Sequence, residues 1–280
     1  VIRRRSRQHE RNPPQGRVLR VPIIRKMIAT VRTSFQAINW RSQIFKSGVG
    51  SIVVNVANTI FGIAVSVVLA RMLGAEGFGI YSYIYTIVSF LLIITQFGLP
   101  TLLVRETARA EVHKAWPTMR GIWIWADCWG IVSTAILMSA AILLSWFILD
   151  RIEKIWWLTL GSGLIVVLLR TLIIFRASAL RGLRRIVQAQ MLDNTLRHML
   201  FIGALFVFYW VASSRVRPDQ AMALHAASVL ICLLTATWAL RVAKPAELSQ
   251  HAHPVYESRR WLGSAIPLVL VASMEVINTQ

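Results

Sequence analysis

The sequence predicts an all-α fold, a polytopic bundle of membrane-spanning helices. Two uncharged segments, Gly48 to Ala70 and Ile80 to Leu99, carry the first indication. A helix rises about 1.5 Å per residue and a bilayer core is roughly 30 Å thick, so each segment is long enough to cross. Composition is the second: of 280 residues, 56% are hydrophobic and 15% charged, whereas a soluble domain carries about a quarter charged residues. Third, the apolar residues come in long blocks and not in alternation.

The elements follow in order. Residues 1–45 are Arg-rich, with Pro13, Pro14 and Gly16 breaking any early helix. Ile23 to Phe35 reads either as a short amphipathic helix lying on an anionic leaflet or as a disordered basic tail. The first span, Gly48 to Ala70, is followed by a return loop over Arg71 to Gly79, rich in glycine. The second span, Ile80 to Leu99, stops at Gly98 and Pro100, and Thr101 to Arg120 reads as a polar connection. Gly121 to Leu149 is the third span, with Trp116, Trp123, Trp125 and Trp129 near its start and Trp146 near its end, as in interfacial aromatic belts. Ile155 to Phe175, Met191 to Val211 and Ala221 to Leu240 are the fourth, fifth and sixth. Arg176 to Gln190 reads as a basic, polar connection. Trp261 begins a seventh span, interrupted by Pro267. The chain opens on Val1, so it is expected to be part of a longer protein. No secretory leader is expected, because the basic stretch is far longer than a short n-region.

The net charge of +19 raises the question of nucleic acid. Its placement answers against that partner: 12 of the 31 basic residues precede Gly48, and most others lie between apolar blocks. No zinc-finger, RNP-like or helix-turn-helix pattern is present. With the N-terminus inside, inner segments hold 24 basic residues and outer turns 5; without the tail the balance is still 12 to 5. The positive-inside rule therefore predicts a cytoplasmic N-terminus.

Catalytic and cofactor motifs are absent: there is no HExxH, GxSxG or Walker A, and neither an enzyme, a cofactor nor a metal is expected. Cys128 and Cys232 read as small apolar packing residues. The informative residues are polar groups within spans, where burial is costly. Asn55 and Asn58, three apart on one helix face, either bond to a neighbouring helix or line a cavity. Arg170 and Arg197 lie five or six residues inside the inner ends of the fourth and fifth spans, a depth of about 8–9 Å. They either snorkel, or pair as Asp193 with Arg197, or form a positive site for an anionic group arriving from the cytoplasm. Asp127 and His225 read as interfacial. Glu275 is the deepest charge by count and a candidate for ion coupling, substrate contact or pairing with a basic residue.

The run Leu69 to Arg109 resembles the opening signature of the oligosaccharide flippase, or polysaccharide-transport, family, in the multidrug/oligosaccharidyl-lipid/polysaccharide exporter superfamily. The matching positions are Arg71, Leu73, Gly74, Phe78, Gly79, Gly98, Leu99, Pro100 and Arg105. Ala177 to Arg197 is similar to the linker after that family's fourth span, and Ser264 to Leu268 to the opening of its seventh. The resemblance implies a two-lobed exporter with a cavity that opens alternately to each side. Residues 1–45 would be a cytoplasmic tail, 46–240 a six-helix first lobe, 241–260 a cytoplasmic linker and 261–280 the start of the second lobe. The implied activity is flipping of undecaprenyl-pyrophosphate-linked oligosaccharide across a bacterial inner membrane, for surface polysaccharide such as O-antigen. The implied partners are that lipid-linked oligosaccharide, membrane lipids and polysaccharide polymerase or assembly proteins. In that reading Arg170 and Arg197 meet the pyrophosphate, with Asn55 and Asn58 lining the cavity. The rivals are a drug or cation exporter of the same superfamily, which calls for acidic groups in the cavity, and a non-transporting scaffold of polysaccharide assembly. A membrane glycosyltransferase is disfavoured by the short outer turns.

Overall fold

The computed structural model describes residues 21–148, 154–212, 216–245, 247–248 and 253–264. Every regular element among them is helical. The order is α1 (Val21–Gln96), α2 (Leu99–Val112), α3 (Trp116–Ile148), α4 (Lys154–Gly182), α5 (Ile186–Gln190), a π turn (Met191–Thr195), α6 (Leu196–Ala212) and α7 (Pro218–Ala243). Residues 258–264 are again helical. The chain divides into two compact units, Val1–Gly48 and Val49–Gln280. In the first, residues 21–48 are helical, a longer helix than the one expected over Ile23 to Phe35.

In the second unit, five helical stretches are long and apolar enough to cross a bilayer: Gly50–Gln96, Trp116–Leu143, Lys154–Gly182, Ile186–Val211 and Pro218–Ala243. The first has 47 residues, about 70 Å of helix against a bilayer core of roughly 30 Å. It is broken at Gly74, where φ is 73° and ψ 179°. That conformation is essentially reserved for glycine, since a Cβ would clash there. Two arms of crossing length result. The loop expected over Arg71 to Gly79 is thus a single-residue break, and all its other residues are helical. Gly74 takes up the change of direction alone, so the interruption is confined to the helical hydrogen bonds that would span it. In apolar surroundings those are costly to leave unmade.

The polar connection expected over Thr101 to Arg120 is also corrected. Most of it is α2, which follows a tight turn at Phe97 and Gly98 and carries a proline in its first turn. Leu99, Leu102, Leu103, Glu106, Thr107 and Ala110 are buried, at steps of three and four that make one helix face. That face packs on α3 and α4. Similarly, α4 runs on to Gly182 through the segment expected as a basic connection, because Ala177, Ser178, Ala179 and Leu180 are buried within the bundle.

Helix α4 is the centre, packed against α7, α2 and α3. The largest apolar cluster joins both arms of α1 (Leu69, Ile84, Val88) to α4 (Val167, Ile173), α6 (Phe201, Leu205) and α7 (Met222, Val229). Outward faces expose large apolar side chains, among them Ile52, Ile60, Ile136, Val207 and Leu234. Water would penalise such faces and lipid does not.

The segment after α7 is tied to the bundle at Gly121. The Val255 N–H donates to the Pro117 carbonyl at 3.1 Å, and a Cβ on residue 121 would overlap the Val255 carbonyl oxygen. Backbone cannot step aside as a side chain can, so Gly121→Ala is expected to cost about 1–3 kcal/mol, as overpacking does. The measurement is a lowered melting temperature of the detergent-purified protein. An unchanged melt would show that this crossing is not held in place.

Candidate functional site

A polar cluster lies inside the apolar bundle, and each member has a structural reason to be there. Tyr81 and Tyr85 stand four residues apart on the second arm of α1, so they share a face and stack with ring centroids 6.0 Å apart. His225, Ser228, Val229 and Cys232 form the buried stripe of α7. Arg170 comes from α4, Asp193 from the π turn, and Arg197 and His198 from the start of α6.

Arg197 is the hub. It is only 7% exposed. Its Nη1 approaches the Tyr85 hydroxyl at 3.5 Å and His225 Nε2 at 3.4 Å, and its Nη2 approaches His198 Nε2 at 3.2 Å. Guanidinium nitrogens only donate, so both imidazole Nε2 atoms accept. His225 therefore carries its ring proton on Nδ1 and donates it to the Tyr81 hydroxyl, 2.9 Å away. The His225 ring also stacks on Phe201 with centroids 4.6 Å apart.

Arg170 stands beside this group and is repelled electrostatically by Arg197. Asp193 is the carboxylate beside it: it lies 3.9 Å from Arg170 and accepts a hydrogen bond from Arg181 at 3.0 Å. Two guanidiniums thus meet the one carboxylate, and with Arg197 the cluster holds three arginines to one acid, two formal positive charges in excess. The Nε atoms of both Arg170 and Arg197 are buried without a hydrogen-bond partner. Buried N–H groups without acceptors are costly in any solvent-poor setting. An entering anion with several oxygens would supply what they lack, and guanidiniums suit phosphate geometry in particular.

The residues expected from sequence fare unequally. Arg170 and Arg197 are brought into this one cluster. The pair expected between Asp193 and Arg197 is replaced by the contacts of Asp193 to Arg181 and Arg170. The cause is the π turn, whose wider winding shifts the helical register between positions 193 and 197. The buried Cys232 thiol donates to the Leu192 carbonyl of that turn at 3.2 Å. Asn55 is exposed on α1 and Asn58 half-buried, its Oδ1 without a partner, and neither joins the hydrogen bonds of the cluster. Glu275 lies outside the described residues. Asp127 pairs with Arg176 at 2.7 Å.

His225 corrects an expectation outright: read as interfacial, it is 2% exposed and bonded on both ring nitrogens. Sequence reasoning also passed over Tyr81, Tyr85 and Arg181. A signal existed for some of them: Tyr81 with Tyr85, and His225 with Ser228 and Cys232, keep helical spacing within apolar runs.

Among the described residues no group of three or more His, Cys, Asp or Glu side chains is placed to hold a metal ion. Comparison with curated proteins and with solved structures found no match. Residues 44–278 match the family described as polysaccharide biosynthesis protein, and with most of its length matched, this multi-pass membrane chain belongs to that family.

Proposed function

We propose that the chain is the first part of a flippase for lipid-linked oligosaccharide, moving an undecaprenyl-pyrophosphate glycan from the inner to the outer leaflet of a bacterial inner membrane for surface polysaccharide synthesis. In this reading residues 46–240 form the first lobe, 261–280 open the second, and the N-terminus is cytoplasmic, as the excess of basic residues in alternate connections supports. A sugar–pyrophosphate headgroup cannot cross hydrocarbon without a replacement for its hydration. The single observation that carries the proposal is the pair Arg170 and Arg197: both set inside the bundle, with one carboxylate, Asp193, beside Arg170, and each with a buried Nε that lacks a hydrogen-bond partner. Membership of a polysaccharide biosynthesis family supplies the class of cargo.

A cation exporter is disfavoured by the same cluster, whose carboxylate is already engaged by two arginines. The test uses the full-length gene product in proteoliposomes containing a fluorescent undecaprenyl-pyrophosphate disaccharide. Movement of the label to the opposite leaflet, faster than in empty vesicles, is the expected result. If the label stays in its leaflet while the protein restores polysaccharide assembly in cells, the scaffold reading replaces this one.

A further inference from the structure

A second basic site lies on another flank of α4. Arg176 follows Arg170 by six residues, about 240° round the helix, so the two do not share a face. Arg176 lines a cavity of about 540 Å³ between the ends of α3, α4 and α7 and the chain beyond α7. Arg120, Arg176, Arg241 and Lys244 bring four positive charges to it, and Asp127 one negative. Both Asp127 oxygens accept from Arg176 Nη1, each at 2.7 Å, so the one acid of the lining is engaged by one of its four cations. Arg241 and Lys244 are exposed at the mouth. The opposite wall is apolar, with Trp123, Ile124 and Leu240.

One more feature says what kind of anion fits. On α7, Leu230, Leu234, Trp238 and Val242 are all exposed. Steps of four make them a continuous ridge, and it leads to Arg241 and Lys244. A molecule with an anionic head and apolar chains matches a basic cavity placed at the end of an apolar ridge. A free phosphate would use the cavity and ignore the ridge.

We propose that this cavity binds the phosphate ester of an anionic glycerophospholipid, the phosphate among Arg176, Arg241 and Lys244 and the acyl chains along the α7 ridge. The site is separate from the central cluster and does not rest on the flippase reading.

The test is isothermal titration of the full-length protein, in a non-ionic detergent, with three probes: dioctanoyl phosphatidylglycerol, dioctanoyl phosphatidylcholine and inorganic phosphate. Phosphatidylglycerol is expected to bind at least tenfold more tightly than either other probe. The double variant Arg241→Glu, Lys244→Glu is expected to weaken that binding at least tenfold. Both side chains are exposed, and Arg241→Gln, Lys244→Gln serves as the milder pair should the reversal harm folding. The control Arg259→Glu changes an exposed charge outside the cavity and is expected to change binding less than twofold. Phosphatidylglycerol binding that is unaffected by the double variants, or equally weakened by Arg259→Glu, would overturn the site. Phosphate binding as tightly as the lipid, with the same residue dependence, would overturn the lipid as its source.

Discussion

Replacing Arg170 and Arg197 together with alanine is expected to reduce glycan export at least a hundredfold while the protein still accumulates in the membrane. Each guanidinium offers charged hydrogen bonds worth about 1.5–3 kcal/mol, and about 1.4 kcal/mol corresponds to tenfold. The two single variants should fall between wild type and the double variant. Lysine at both positions should restore only part of the activity, because an ammonium keeps the charge and loses the planar fork. Stability is the confounding factor, since Arg197 also donates towards Tyr85, His198 and His225. Export is therefore read in a complementation assay normalised to membrane protein level, alongside a melting curve. Unchanged export at normal level would remove both arginines from the substrate path.

Asp193→Ala is expected to destabilise the bundle by about 3–5 kcal/mol, the usual effect of removing one partner from a buried ion pair. Asp193 compensates Arg170 and Arg181 at once, and it is itself 7% exposed. Its loss leaves those positive charges without their carboxylate in an apolar setting. Asp193→Asn should be milder, since the amide oxygen still accepts from Arg181. The readout is the melting temperature of purified protein together with its yield. A yield and melt equal to wild type for the alanine variant would mean that water or lipid solvates these arginines, and that the cluster is not closed.

The fold was legible wherever a charge-free run exceeded the thickness of a bilayer. It was least legible between those runs. The segment Thr101 to Arg120 looked like a connection because four basic residues stand in it, yet the buried face of α2 shows the spacing of a helix. The nine-residue loop at Arg71 to Gly79 looked necessary because it holds three glycines and two charges, and the chain used only one glycine to turn. Within the site, Arg170 and Arg197 stood out because a charge inside an apolar run is conspicuous by itself. Tyr81, Tyr85 and His225 did not, because such residues also populate membrane interfaces. Only the pairing of helices distant in sequence separates the two situations, and Tyr81 meets His225 across 144 positions. The Asp193 contacts were beyond reach for another reason: a π turn alters which residues face each other, and no local residue pattern announced it.

The break at Gly74 bears on how the chain enters the membrane. Arms joined by one residue have no slack to be threaded separately, so the first two crossings are committed to insertion as a unit. Arg71 and Glu76 flank the break on either side. Whatever is carried through the hydrocarbon at that step is thus a short tip whose formal charges cancel, helical on both sides of a single glycine. Biogenesis of the bundle can then begin from this pair, before α4, its eventual centre, has been synthesised.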